Sequence, residues 1–567
     1  MMKVRFGLPL AFFATLVTMP STHAAAAQVD DDRAGSVDAI FSEWNKTDSP
    51  GCTCAAMQGG NILHAKGYGM ANLEHDVPLS PESVFYIAST SKQFAAAGIA
   101  LLALDGTISL DDDIRKYLSE LPDFGTPVTV RHLVHHTSGI RDYFNLLAIT
   151  GWNDTYFFDN DMVVELISRQ RELNYEPGSQ HLYSNSGYVL MAEIVRRASG
   201  KSLRDFTDER IFQPLGMTHT NFDDDFRQNI RHRVTSFAQR DGGGFNRLLK
   251  EFNGHGDGNL LTTVGDLLKW EENFYDPRVG GQDFINLMLT RGVLVSGDTI
   301  DYAFGLFHGT YRGLPTVSHG GGFKGFRTQL LRFPEQHFSV TVLCNLGTIN
   351  PTALAQRVAD IFLAEEFTEP STAPVAASRE HKEPVAINPA VFDDYAGNYE
   401  LEVQPGFTIS FFRDGNQFFA RATGQDTAEI FPTSDSTFFI TELDASVTFH
   451  RDADGSVLHL TLHQGGGLAA HRVEKYLPTA GELAEYAGRY YSAELETSYT
   501  LAVVNGKLVA KHRRLEDIEL TPRAKDEFMG NAWFFGKLVV ERDRTGGITG
   551  FRVSNGRVRN LSFARER

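Results

Sequence analysis

Phe85-Tyr86-Ile87-Ala88-Ser89-Thr90-Ser91-Lys92 leads into the apolar run Phe94 to Leu104, which stops at Asp105-Gly106. A run of that length with a glycine stop predicts a buried helix, with Ser89 at its start. On a helix, a three-residue offset stacks Ser89 and Lys92 on one face, one turn apart. The helix N-terminus adds a favourable potential for developing negative charge. A lysine amine desolvated by apolar neighbours spends part of its time neutral, and a neutral amine can take the proton of a serine hydroxyl. The competing reading is a capping serine beside a solvated lysine. Four residues alone do not choose between them.

Two further stretches bear on that choice. Tyr183-Ser184-Asn185 precedes the helical run Gly187 to Ala198. A phenol is a poor base near neutral pH, but a neighbouring ammonium stabilises the phenolate, and an asparagine amide can bond a substrate carbonyl. Val317-Ser318-His319-Gly320-Gly321-Gly322-Phe323 is followed by the strand-like Thr328 to Arg332 and Val340 to Leu343. Glycines on an edge strand let an extended substrate lie against the backbone and let an amide point at an oxyanion. Gly320-Gly321-Gly322 is not a phosphate cradle, because no strand, glycine turn and helix with a following Lys and Ser/Thr surround it.

Each motif is weak alone, but their order is specific. Together they resemble the serine β-lactamase-related, penicillin-recognising hydrolases: class C β-lactamases, DD-carboxypeptidases, D-stereospecific aminopeptidases and family VIII esterases. Leu110-Asp111-Asp112-Asp113, Val130-Arg131-His132-Leu133, His136-Thr137-Ser138-Gly139, Pro214-Leu215-Gly216-Met217 and Phe333-Pro334-Glu335 extend the resemblance over the first domain. It implies Ser89 as the acylated nucleophile, Lys92 and Tyr183 as general acid/base, and Asn185 as a substrate ligand. His319 would be a third-motif contact to substrate or transition state. Gly320, Gly321 and Gly322 would form the substrate strand, with the Ser89 amide and that of about Gly322 making the oxyanion hole.

One departure matters. Class C β-lactamases carry Lys-Thr-Gly where this chain has His319-Gly320-Gly321, a feature similar to the D-aminopeptidases. Replacing a permanent cation by a mostly neutral imidazole weakens recognition of a β-lactam carboxylate. His135 and His136 are set aside as structural, and His255 is kept only as a residue that could line the groove.

The fold expected is a mixed α/β domain, an antiparallel sheet flanked by helices, followed by two small all-β antiparallel barrels. The boundaries are a signal peptide over 1–27, the catalytic domain over 28–367, a Pro-rich linker over 368–385, and β-units over 386–475 and 479–567. The two units repeat each other: Tyr395-Ala-Gly-Asn-Tyr399 returns as Tyr486-Ala-Gly-Arg-Tyr490. Hairpin turns at Asp414-Gly415-Asn416 and Asn505-Gly506 follow at matching distances. The resemblance to D-aminopeptidase covers this arrangement as well, and it implies that a loop of the last barrel reaches the active site. Thr521 to Asn531 is the expected loop.

With 53 Lys and Arg against 71 Asp and Glu, the net charge of -18 repels a phosphate backbone and excludes a nucleic-acid partner. Lys3 and Arg5, the apolar run Phe6 to Val17, and Thr22-His23-Ala24 read as an export signal. The run is about a dozen residues where a span needs about 20, so no stable membrane anchor is expected. Cys52 and Cys54 are too close to pair easily, and all three cysteines read as buried, non-catalytic thiols. No metal site or cofactor is expected. The reading favoured is an exported serine hydrolase of amide or ester bonds, D-aminopeptidase or DD-peptidase in type, acting on small peptides, peptidoglycan fragments among them. A family VIII-type carboxylesterase or weak β-lactamase, and a non-catalytic cell-envelope binding protein, are the alternatives.

Overall fold

The computed structural model describes residues 23–152, 157–370, 384–403, 407–422, 427–440, 445–463, 467–474 and 476–567. Most of the expected signal peptide and of the expected linker lies outside them.

The first domain is built on a six-stranded antiparallel sheet. Its strands are β1 (Cys52–Gln58), β2 (Asn61–Tyr68), β3 (Phe307–Tyr311), β4 (Leu314–Phe323), β5 (Phe326–Phe333) and β6 (Phe338–Cys344), in the order β3-β4-β5-β6-β1-β2. Helices α1 (His23–Phe41), α2 (Lys92–Leu104), α3 (Tyr143–Ile149), α4 (Asn185–Ser199) and α5 (Pro351–Phe362) pack around it. One face of the sheet buries Cys54, Tyr68, Val340 and Val342 against Phe41 of α1 and Leu354 and Val358 of α5. The other face carries the helical region that contains α2 and α4.

Helix α2 ends at Leu104, as its glycine predicts: Gly106 adopts φ 71°, open to glycine at no steric cost. Eleven of its thirteen residues are buried. A helix apolar all round belongs in a core, and this one packs against α4.

The cysteine expectation is corrected. Cys52 opens β1 and Cys344 closes β6, the two sit opposite each other in the antiparallel register, and they form a disulfide. Only Cys54 keeps a thiol, which burial pushes up. The pairing escaped the sequence because its partners are 292 residues apart, while the spacing argument weighed Cys52 against Cys54 alone.

Both β-units are closed eight-stranded antiparallel barrels. They share details as well as topology. The Tyr399 hydroxyl donates to the Tyr395 carbonyl at 3.1 Å, and the Tyr490 hydroxyl to that of Tyr486 at 2.8 Å. Arg472 and Arg565 lie over the respective second tyrosines. Asn505 and Gly506 turn their hairpin with φ of 50° and 78°, the positive pair of a type I′ turn.

The barrels differ in how they are held. The first has a separate aromatic core around Phe392, Phe438 and Phe449. The second continues the core of the catalytic domain. There the buried Tyr499 donates its hydroxyl to the Ile149 carbonyl at the end of α3 (2.8 Å), and Arg141 bonds Glu494 and the carbonyl of Arg559.

Candidate active site

Ser89 sits on a single 3-10 turn, Ala88–Ser91, that runs into α2. Ala88 has φ 48°, a sparsely populated conformation for a residue with a Cβ that persists only where the surroundings hold it. The restraints are visible. Ser91 Oγ donates to the Ala88 carbonyl (2.6 Å) and accepts from the Leu260 amide (3.1 Å). Thr328 Oγ1 on β5 donates to the Ile87 carbonyl at 2.9 Å. Strand β4 lies directly alongside. A Cβ at Gly321 would stand 2.3 Å from the Ile87 carbonyl oxygen and 3.0 Å from the Ser89 amide nitrogen. Only glycine permits that approach.

Lys92 is fully buried. Its Nζ donates to Ser89 Oγ at 3.2 Å, Asn185 Oδ1 at 2.9 Å and the Asp257 carbonyl at 2.6 Å, which uses all three ammonium donors. It also lies 5.0 Å from the centre of the Tyr183 ring. Lys92 is the donor in this bond, so Asn185 turns Oδ1 toward it, and the Nδ2 donors are left for the cavity. The Asn185 amide is anchored in turn by the buried Asp142 carboxylate at 2.8 Å. Ser89, Lys92, Tyr183 and Asn185 are therefore brought together.

His136, set aside from sequence, lies under this group. Its ring centre is 4.2 Å from that of Tyr183, and its Nδ1 accepts from the Ser184 amide at 3.1 Å. Burial and the nearby Lys92 hold its pKa well below the usual histidine range. A neutral imidazole thus fixes the Tyr183 segment from behind.

His319 is corrected. It points to the serine side of the sheet, two residues from Gly321, but Tyr302, Phe307 and Tyr183 cover it, and only 2% of it is exposed. Its Nδ1 donates to the Gly320 carbonyl at 2.7 Å, and burial lowers its pKa to about 3. It supports the wall without facing the cavity. Among the three glycines, Gly322 borders the cavity, Gly321 packs on the serine turn, and Gly320 faces the Gln329 side chain.

The cavity holds about 250 Å³. Ser89, Tyr183 and Asn185 lie at its floor, and Tyr86, Tyr143, Phe144, Phe158, Phe252 and Phe323 make an aromatic wall. His255 does not line it: that side chain turns back to the Asn253 carbonyl. Its neighbour Asp257 does line it, with a carboxyl group that burial raises and that accepts from Tyr143 at 3.0 Å.

The second barrel reaches the cavity, but not through Thr521 to Asn531. Those residues pair as neighbouring barrel strands, Ile518–Ala524 and Glu527–Ala532. The contact comes from Trp533, stacked on Phe144 with ring centres 6.2 Å apart, and from Arg557, which lines the cavity over the Tyr183 ring at 5.0 Å. No group of three or more metal-ligating side chains occurs among the described residues.

The family model described as Beta-lactamase matches residues 37–364, more than half of the chain. The chain belongs to the Beta-lactamase family. A second model, Domain of unknown function (DUF3471), matches residues 381–475, the first barrel. The chain is 29% identical over 446 residues to penicillin-binding protein 4* of Bacillus subtilis, covering 74% of this chain and 95% of that protein. It is 26% identical over 533 residues to a D-aminopeptidase of Cereibacter sphaeroides, covering 91% and 96%. The penicillin-binding protein homologue of Pyrococcus abyssi shares the fold with a TM-score of 0.54 at 21% identity, over 78% of this chain and 99% of that one. This member of the Beta-lactamase family thus combines that fold with two C-terminal barrels, and one barrel contributes to the cavity wall.

Proposed function

We propose that the chain is an exported serine hydrolase that cleaves amide or ester bonds through an acyl-enzyme, with peptides containing D-residues as its substrate class. The observation that carries this is Lys92 Nζ bridging Ser89 Oγ and Asn185 Oδ1 in a site that excludes water from the ammonium. Ser89 Oγ bonds to the scissile carbonyl carbon, and its proton passes to the Lys92 and Tyr183 pair. The carbonyl oxygen becomes an oxyanion between the amides of Ser89 and Gly322. The C–N or C–O bond then breaks as the leaving group takes the proton. Water attacks the ester on Ser89, with the same pair as base, and frees the acid. Lys92 and Tyr183 act as one coupled unit.

Support for the substrate class comes from the D-aminopeptidase relative, which matches through both barrels. The aromatic wall suits an apolar acyl side chain. Support for export comes from the basic and apolar N-terminal residues and from the Cys52–Cys344 disulfide, a bond that persists in oxidising compartments.

The test compares turnover of D- and L-alanine p-nitroanilides and p-nitrophenyl butyrate by the wild type, Ser89→Ala and Lys92→Ala. Both variants should lose hydrolysis, and the D-anilide should be preferred. Ester cleavage without anilide turnover would make the chain an esterase. Activity retained by Ser89→Ala would defeat the proposal.

A further inference from the structure

Asp257 brings two different groups to the active site. Its backbone carbonyl accepts from Lys92 Nζ, and its carboxyl group stands apart from that bond, with Oδ2 accepting from the Tyr143 hydroxyl at 3.0 Å. Both Asp257 and Tyr143 line the cavity, and Asp257 is only half-buried. Burial and the neighbouring Asp257 hold the Tyr143 hydroxyl well above the usual tyrosine range, so it stays a donor. The second carboxyl oxygen, Oδ1, accepts from no other described residue. Burial raises the pKa of this carboxyl group and the charge of Lys92 lowers it, so the group lies within electrostatic reach of the lysine that serves Ser89.

The loop that carries Asp257 is pinned at several points. Gly256, with φ 107°, lies so close to α4 that a Cβ there would stand 2.5 Å from the Tyr188 carbonyl oxygen. The His255 amide donates to Asn160 Oδ1 at 2.8 Å. Asn259 Nδ2 donates to the carbonyls of Gly254 (3.0 Å) and Asp223 (2.8 Å). Lys250 Nζ bridges the Asp223 carboxylate (2.8 Å) and the Phe252 carbonyl (3.2 Å). The fold thus holds a carboxyl group in the cavity of the nucleophile and leaves one of its oxygens for something in that cavity.

Breakdown of the acyl-enzyme gives that oxygen a partner. An acyl group on Ser89 leaves a water to attack it inside a largely aromatic cavity, where a water needs polar partners to be held. The cavity of about 250 Å³ has room for a small acyl group and a water, whose own share is about 30 Å³. Asn185 has turned its oxygen to Lys92, and Arg557 only donates. The amides of Ser89 and Gly322 serve the oxyanion. Asp257 is the one carboxylate among the described lining residues, and a water that it holds does not compete with the oxyanion for those amides.

We propose that Asp257 Oδ1 holds the water that hydrolyses the acyl-enzyme. One O–H of the water donates to Oδ1. The other gives its proton to the Lys92 and Tyr183 pair as the water oxygen bonds to the acyl carbon. The bond from that carbon to Ser89 Oγ then breaks, Oγ takes a proton from the pair, and the acid leaves. This rests on the acyl-transfer reading above and adds a residue that acts in its second step alone, since attack by Ser89 needs no water.

Stopped-flow kinetics with p-nitrophenyl butyrate read the two steps apart, on a substrate that has no ammonium for a carboxylate to bind. In full-length Asp257→Ala, release of the first equivalent of p-nitrophenol should keep nearly its wild-type rate. The steady rate that follows should fall about 10- to 100-fold, the range for a hydrogen bond to a charged group. Butyryl-enzyme should accumulate on the peptide containing Ser89. The isosteric Asp257→Asn keeps a weaker, neutral acceptor and should fall between the two, while Tyr143→Phe, which leaves the carboxylate in place, should lose less than Asp257→Ala. Equal losses in both phases, as a displaced loop would cause, would overturn the proposal, and so would an unchanged steady rate without accumulated butyryl-enzyme in Asp257→Ala and Asp257→Asn. None of these outcomes touches the nucleophile, which is judged by loss of turnover on Ser89→Ala.

Discussion

Glu494 of the second barrel meets Arg141 of the catalytic domain with Oε2 2.6 Å from Nη1, where the arginine side chain is wholly buried and the glutamate nearly so. Burial pushes the Glu494 carboxyl up and the Arg141 guanidinium down, so each charge is held there chiefly by the other. Arg141 is followed directly by Asp142, which anchors the Asn185 amide. The domain boundary and the active site thus share one segment.

Removing one partner of a buried pair strands the other charge, at about 3–5 kcal/mol. Glu494→Ala should therefore lower the urea midpoint of the catalytic domain together with that of the second barrel, and lower turnover with it. Two separate transitions, or an unchanged midpoint, would show that the barrel is docked by other contacts.

Gly321→Ala should be more damaging than Gly320→Ala. The added methyl at Gly321 meets backbone, the Ile87 carbonyl, whereas at Gly320 it meets mainly the movable Gln329 side chain. Displacing the serine turn by about 1 Å is enough to cost about 100-fold in kcat. Steady-state rates on one ester substrate decide it. Equal losses at both positions would contradict the close approach of strand and serine turn.

Stability should fall on the acid side of neutrality. Burial holds His135 to about 4, His319 to about 3 and His136 well below the normal value, so these rings stay neutral in the folded chain. The unfolded chain takes up their protons below pH about 6.5, the folded chain does not, and stability is lost as pH drops from there. Each site contributes at most about 1.4 kcal/mol per pH unit. Urea midpoints between pH 7 and pH 4.5 should decline, and His319→Asn should decline less steeply. A flat profile in the wild type would mean that these histidines are protonated or exposed.

The parts legible in the sequence were those set by local period or by order. Ser89 and Lys92 are one helical turn apart, and the glycine after Asp105 marks where that helix ends. The twin barrels announce themselves through Tyr395 and Tyr399, repeated at Tyr486 and Tyr490. The third motif placed His319 beside the serine, and it does lie on that side of its strand. The motif says nothing of Tyr302 and Phe307, which arrive from another part of the chain and cover it.

What stayed hidden depends on contacts between distant residues. Asp257 acts through its backbone carbonyl, which has no sequence signature. Arg557 lies more than 370 residues from Tyr183 and is one arginine among many. Its signal, a short Asn555-Gly556 turn closing a barrel, marks a loop but not its destination. Thr521 to Asn531 failed as the reaching loop because its residues satisfy their backbone groups as barrel strands.

Trapping the acyl-enzyme tests Ser89 as the nucleophile most directly. The wild type would be mixed with an acyl-D-alanine p-nitrophenyl ester, quenched in acid within the first turnover, digested and measured by mass spectrometry. A mass gain of one acyl group is expected on the peptide containing Ser89, absent from Ser89→Ala. An adduct on another residue, or ester turnover by Ser89→Ala at the wild-type rate, would contradict it.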